Sequence, residues 1–438
     1  YRLINGRLIF TFGDRQEVVW GFDDIDPMTK AHAYQSGDRI SWSAFKELTL
    51  QEIGPGRIRV GGELKHHPRV GNVIAMRFGR RENPGIFLKD CTDTRIEQVA
   101  IHHAPGMGLV AQRCTDIQLH ALDVKLRPGT SRVVTATADA THFSHCRGRI
   151  EMGNCLFENQ LDDPCNVHGI YGQIADIIAS DVFLLKLVHG MQKGVEIAAA
   201  GDLIQFVRHD SLLGFAKATV RTAERISGDY YIVSVDGLPE GVQAGDVIEN
   251  LTWVADLTVR HCEVRANRAR GFLITTPGKV LLEHNVISAP GAGIKISGDA
   301  NSWYESGAVR DVTIRHNTFL DCNYCYPDWG LAVIDIDPEI EQPRTREACY
   351  HRNIRIENNE FRTFGTRLVY GHSIDGFTFK NNVIRKSGHY PEHPVPAYAI
   401  DLAMVRIEDI SGNVWVEGDA QARIDDQVFG FQEGRLCR

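Results

Sequence analysis

A chain of 438 residues with 43% hydrophobic and 24% charged residues has the composition of an ordinary globular protein and the length for two or three packed units. Its formal net charge of -8 argues against a nucleic acid or an anionic membrane surface as partner, because both demand clustered Lys and Arg. No run approaches the roughly 18 apolar residues of a membrane span, so none is expected, and a neutral or weakly polar partner fits better.

In chain order, the sequence begins at Tyr1 without Met or a signal-peptide pattern, and is read as a mature chain whose leader has been removed. Residues 1–70 carry strand-like stretches such as VVWGFDD and GRIRVGGEL around turns but show no repeat. They are expected to form a strand-rich N-terminal cap that covers unpaired sheet edges. From residue 71 a repeat sets in, seen loosely in TRIEQVAI, IQLHALDV, RIEMGNCLF, LTVRHCEV and EDISGNVW and most clearly in VLLEHNVI, VTIRHNTF, IRIENNEF and FTFKNNVI. Its anchor position falls at Val99, Leu122, Asn154, Cys262, Asn285, Asn317, Asn359, Asn382 and Asn413. Apart from one gap of 108 residues, the anchors are about 23 to 42 residues apart, the length of one solenoid coil. Apolar and polar residues alternate within each repeat, which is strand periodicity and excludes helical repeats. The expected fold is all-β, a right-handed parallel β-helix whose anchor Asn side chains stack as a ladder.

The long gap holds an extra segment, about 175–252, with its own strand signals in GVEIAAAGDLIQFVR, ATVRTAERISG, YYIVSVDG and AGDVIEN. It reads as a small β-barrel inserted between two coils, leaving 71–174 and 253–438 as the two parts of the β-helix. A second strand is expected in each coil at RVVTATAD, NVHGIYG, GFLITT, GIKISGD, LAVIDID and RLVYGHS. Stacked at ~4.8 Å, these strands form a sheet whose outward face gathers Thr137, Asp139, His168, Thr275, Lys295, Asp335 and Asp337.

Asp139 and the adjacent pair Asp162 and Asp163 fall on consecutive coils, and Pro164 favours an extended backbone at Asp163 in the LDDP turn. Such an arrangement sets carboxylates roughly 5 to 9 Å apart, the range two-carboxylate glycosidases use, and like-charge repulsion pushes one pKa upward. These three acids are the candidate general acid and base. His102 and His103, His168, Arg270, Thr275, Lys295, Asp335, and Trp303 with Glu305 in the turn GDANSWYESG are candidate substrate contacts. Trp stacks on the apolar face of a sugar and Glu accepts its hydroxyls. No GxSxG, Walker A, GxGxxG or HExxH pattern is present. The ten cysteines are scattered, and the lone CxxC at Cys322 and Cys325 reads as buried small apolar residues, so no metal site is assigned there.

The stretches TATADATHF, ENQLDDPCNVHGIY, RARGFLITTPG and SWYESGAV resemble the exo-acting α-1,3-galactosidases of glycoside hydrolase family 110, bacterial enzymes that remove terminal galactose from blood-group-B-type and related glycans. The resemblance extends over nearly the whole chain after about residue 70. It implies a parallel β-helix with barrel-like additions, hydrolysis with inversion, no cofactor or required metal, and essential aspartates at Asp139, Asp162 and Asp163. It also implies a galactose-terminated oligosaccharide or polysaccharide as partner and a periplasmic or extracellular location; dimerisation through the side of the solenoid is a further expectation. A polygalacturonase-like hydrolase is the nearest competitor, but Val167 precedes His168 and Gly293 precedes Ile294 where that family has Gly-His-Gly and Arg-Ile-Lys. A carbohydrate-binding solenoid would bind without turnover, and a β-helix lyase would depend on calcium and release unsaturated products, which separates both from a hydrolase.

Overall fold

The computed structural model describes residues 2–4, 7–12, 15–38, 49–62, 65–78, 81, 83–340, 348–393, 397–418 and 420–437. Among the described residues the structure is all-β apart from short 3-10 turns such as Gly190–Gln192. Most strands belong to one continuous set that winds as a parallel β-helix of three ladders per coil. The ladder that matters for function stacks Ile86–Lys89, Leu109–Gln112, Thr141–Ser144, Cys165–Ile170, Phe272–Thr275, Ile294–Ile296 and Ile334–Ile336, all in parallel register.

Alternation decides which side chains this ladder shows. Leu109, Thr141, Cys165, Phe272, Ile294 and Ile334 share one inward column and Ala111, Phe143, Val167, Ile274 and Ile296 the next, all buried. Between them the outward column reads Val110, His142, Asn166, Leu273, Lys295 and Asp335, since successive residues of a strand face opposite ways. The expected strand RVVTATAD is not part of the ladder: only Ala136 makes a bridge there, and the ladder strand of that coil is Thr141–Ser144. Asp139 therefore precedes its strand instead of closing it.

The Asn ladder runs through the turns after another strand set. The Asn285 carboxamide oxygen accepts the Cys262 amide at 2.9 Å, Asn317 accepts Asn285 at 3.0 Å, Asn359 accepts Asn317 at 3.0 Å, Asn382 accepts Asn359 at 2.9 Å and Asn413 accepts Asn382 at 3.0 Å. In the earlier coil the anchor is Cys155, not Asn154, because Leu156 pairs with Glu263 and with Asp123. Asn154 occupies the preceding position, which is left-handed in each coil: φ is 50° at Ala121, 54° at Asn154, 53° at His261, 57° at His284 and 54° at His316. Asn tolerates that conformation well, which is why it fits the slot beside the anchor as readily as the anchor itself.

The insertion is a closed six-stranded barrel, from Gly172–Ala179 to Val247–Asn250, with its own core around Ile174, Phe183, Phe206, Val233 and Ile248. The coils stack across it without a break: Gly148 pairs with Ala255 and Cys165 with Phe272. At the N-terminus, Arg2–Ile4, Arg7–Phe12, Arg15–Ile25 and Val73–Phe78 form an antiparallel sheet. The segment that follows Arg15–Ile25 lies along the flank of the solenoid, where the Gln35 amide donates to the Tyr324 carbonyl at 3.2 Å and the Asp38 amide to Asp328 at 3.1 Å.

Candidate active site

The register places Asp139 beside Asp163 and Asp163 beside Arg270, each two residues before its ladder strand. Three consecutive coils thus present acid, acid and base in one column. Gly271 allows the coils to close up here, because a β-carbon on it would sit 1.9 Å from the Gly293 carbonyl oxygen. Asp162 adds a third carboxylate, and one oxygen from each of Asp139, Asp162 and Asp163 lies within 4.8 Å of the others.

Each acid has its own partner. Arg270 clamps Asp163 with its amide at 3.0 Å, Nε at 3.1 Å and Nη2 at 3.0 Å. Asp162 meets Arg81 Nη2 at 2.9 Å, Arg268 Nη1 at 3.9 Å and Arg270 Nη2 at 4.0 Å. Asp139 Oδ2 lies 2.7 Å from His142 Nδ1. Burial, reinforced by the charges of Asp162 and Asp139, pushes Asp163 up to about 7 against the pull of Arg270. Burial also acts to raise Asp162, but Arg81, Arg268 and Arg270 outweigh it and hold its carboxyl below the usual range. Two neighbouring acids with pKa values driven apart form a donor and an anion side by side. The same three oxygens have a spacing at which a cation could be held, but their lone pairs are engaged by arginines and His142.

Asp139, Asp162, Asp163, Arg81, Arg270 and His142 line a cavity of about 410 Å³. Its apolar wall includes Phe87, Met107, Val110 and Leu273, and its far side is built from Trp303, Glu305 and the barrel residues His189, Met191 and Gln192. The turn that carries Trp303 folds around Asp299, whose carboxylate accepts the amides of Asn301 at 2.6 Å, Ser302 at 2.8 Å and Tyr304 at 3.2 Å, and that of Trp303. Glu305 and Ser306 then pair antiparallel with Gly169 and Ile170, which brings Glu305 to 3.1 Å from Asn166 Nδ2 and 3.7 Å from His168 Nε2. Gln192 donates to the Trp303 and Tyr304 carbonyls at 2.9 and 3.1 Å, so the barrel braces this wall.

Of the residues singled out in the sequence, Asp139, Asp162, Asp163, His168, Arg270, Trp303 and Glu305 come together on this cavity. His102 and His103 do not; His102 bonds the Lys125 carbonyl at 3.0 Å one coil away. Thr275 is fully buried and donates to the Val167 carbonyl at 3.1 Å, an internal coil-to-coil bond. Lys295 and Asp335 pair with each other at 3.1 Å further along the same face, outside the cavity. Arg81, His142, Asn166, Arg268 and Gln192 were missed. His142 alone had a signal: it stands one residue into the strand that Asp139 precedes.

The GLAA-B beta-barrel domain I matches residues 1–74, and the GLAA-B beta-barrel domain II matches residues 183–248, inside the closed barrel. Over 432 residues the chain is 35% identical to an alpha-1,3-galactosidase B of Bacteroides thetaiotaomicron, an alignment covering 97% of this chain and 69% of that protein. The chain belongs to the alpha-1,3-galactosidase family. It is 35% identical over 396 residues to the alpha-1,3-galactosidase A of Shewanella woodyi, covering 90% of this chain and 64% of that relative. Among solved structures, an exopolygalacturonase from Thermotoga maritima aligns over 76% of both chains with 10% identity and a TM-score of 0.29, too low to bear on function. As an alpha-1,3-galactosidase family member this chain is a glycoside hydrolase.

Proposed function

We propose that this protein is an exo-acting glycosidase that hydrolyses terminal α-1,3-linked galactose with inversion. The observation that carries the reading is the set of three carboxylates on adjoining coils, one of which retains its proton near neutrality, in a cavity with an aromatic and acidic far wall. Asp163 gives its proton to the leaving oxygen as the bond from the anomeric carbon breaks. Asp139, oriented by His142, takes a proton from the water whose oxygen bonds that carbon. Asp162, held ionised by its arginines, stabilises the positive charge that builds on the sugar ring. Trp303, 49% exposed, offers a stacking face, and Glu305 a hydroxyl acceptor.

One oxygen from each of the three acids lies within 4.8 Å of the others, closer than the ~6.5–9.5 Å customary between the carboxyl groups for single displacement, so the stereochemistry is read directly. Proton NMR of a linear Galα1-3Gal disaccharide and a branched blood-group-B trisaccharide would follow the first sugar released. Initial β-galactose supports inversion; initial α-galactose means a two-step route; no release from either substrate refutes the galactosidase reading. Asp163→Asn is expected to retain most activity on a dinitrophenyl α-galactoside, whose leaving group needs no proton, while Asp139→Asn loses activity on every substrate.

A further inference from the structure

The acid Asp139 is the end of a chain of ring nitrogens that the reaction as described does not explain. His142 Nδ1 lies 2.7 Å from Asp139 Oδ2, His142 Nε2 lies 2.9 Å from His168 Nε2, and His168 Nδ1 lies 2.6 Å from the Gly169 carbonyl oxygen. His142 and His168 sit diagonally on adjoining coils, His142 opposite Asn166 and Ser144 opposite His168, with their rings edge to face at 4.9 Å. Both rings are largely shielded, with 14% and 5% of their side-chain surface exposed.

A carbonyl only accepts, so His168 Nδ1 carries a hydrogen. The two facing Nε2 atoms share a hydrogen, so one donates and the other accepts. If His168 is neutral, its Nε2 accepts and His142 Nε2 donates. The contact between His142 Nδ1 and Asp139 then needs one more hydrogen, on the ring as an imidazolium or on Asp139 as an acid. If instead His168 is doubly protonated, His142 Nε2 accepts and its Nδ1 donates to Asp139. Every arrangement places three hydrogens on the three groups, one more than two neutral imidazoles and a carboxylate would hold. The surroundings choose among them. Desolvation by burial lowers His168 and outweighs the opposing pull of Glu305, 3.7 Å from its Nε2, while at His142 the same desolvation is outweighed by Asp139, Glu305 and Asp163, which raise it. The other charged or titratable groups around the pair are Arg270 across Asp163, and His145 with Arg113 behind His168. The extra proton therefore rests on His142.

We propose that His142 is a positioning residue for Asp139, kept as an imidazolium by the accepting nitrogen of His168, so that Asp139 is presented as an anion aimed at water. This rests on the assignment of Asp139 as the base. His168, read from the sequence as a sugar contact, becomes the group that sets the orientation and protonation of its neighbour.

The proton count is tested without substrate by nitrogen NMR of the protein labelled in its histidine rings, assigned with His142→Gln and His168→Gln. At pH 7.5 His142 is expected to show two protonated ring nitrogens and His168 a single hydrogen on Nδ1. A neutral His142 at that pH overturns the proposal, and the result stands even if no galactoside is cleaved, in which case the functional reading alone fails. Kinetics supply the second arm. His142→Gln is expected to lower kcat about 100-fold with KM little changed, within the range for a general base and its support. The acidic limb of the pH profile should differ from the parent's, because the opposite charge beside the base has been removed. A folded His142→Gln variant whose pH profile superimposes on the parent refutes the role.

Discussion

Replacing Asn317 by Ala would test whether the carboxamide ladder is a main support of the solenoid beneath the site. The side chain makes four hydrogen bonds, accepting from the Asn285 amide at 3.0 Å and Asn285 Nδ2 at 2.9 Å and donating to the Leu282 carbonyl at 2.9 Å and Asn359 Oδ1 at 3.1 Å. At roughly 1 kcal/mol net for each buried bond, the loss comes to about 4 kcal/mol, with the orphaned Asn285 amide and Leu282 carbonyl acting in the same direction. Against a typical total of about 5–15 kcal/mol that is a large fraction. Asn413 ends the run of carboxamides and makes three such bonds, to the Asn382 amide, Asn382 Nδ2 and the Phe379 carbonyl. Asn413→Ala should therefore cost less, about 3 kcal/mol by the same arithmetic. Equilibrium denaturation in urea, followed by tryptophan fluorescence and far-ultraviolet circular dichroism, gives both values. A cost below about 1 kcal/mol for Asn317→Ala would show that water or backbone relaxation replaces the ladder, and the reasoning would fail.

Asp163 must be protonated to act as the acid, so kcat/KM is expected to fall as the pH rises through about 7, and a profile flat from pH 6 to 9 contradicts the assignment. Arg270→Met removes the partner of a buried carboxylate and should destabilise by about 3–5 kcal/mol while abolishing turnover, measured as a lower melting temperature and a loss of product. Gln192→Ala removes the two bonds that brace the Trp303 turn and should raise KM several-fold with a modest change in kcat, as seen in initial rates on Galα1-3Gal. Lys295→Met, outside the cavity, should leave both constants within about twofold; its lost pair with Asp335 would appear only in thermal stability.

The parallel solenoid was legible because the physics that builds it repeats: the same Asn, in the same turn, after the same alternation, five times from Asn285 to Asn413. It was misread at Asn154 because the left-handed slot before the anchor also suits Asn, and nothing in one coil separates the two positions. The three acids were found because two of them are adjacent and the third lies one coil earlier. His142 was missed for a related reason: RVVTATAD has better strand residues than THFS, yet register with Cys165–Ile170 selects the latter. Arg81 and Arg268 could not be seen, since the pairing of Arg81 with Asp162 depends on how the N-terminal segment folds back, and that carries no local pattern.

The bridge between Asp163 and Arg270 joins residues 107 apart, with the whole barrel lying between them in the chain. Such a separation would ordinarily slow assembly, because a long loop must close before the contact is rewarded. Here the first and last barrel strands pair directly, Gly172 with Ile248 and Gln173 with Val247. Once the barrel has folded, its exit and return points are one strand apart, and the chain arrives at the next coil as if the insertion were a short turn. Barrel formation thus shortens the loop that must close to complete the acid column. Damage confined to the barrel core, at Phe183 or Phe206 for instance, would reduce the yield of competent molecules, while those that do fold would have undisturbed acids.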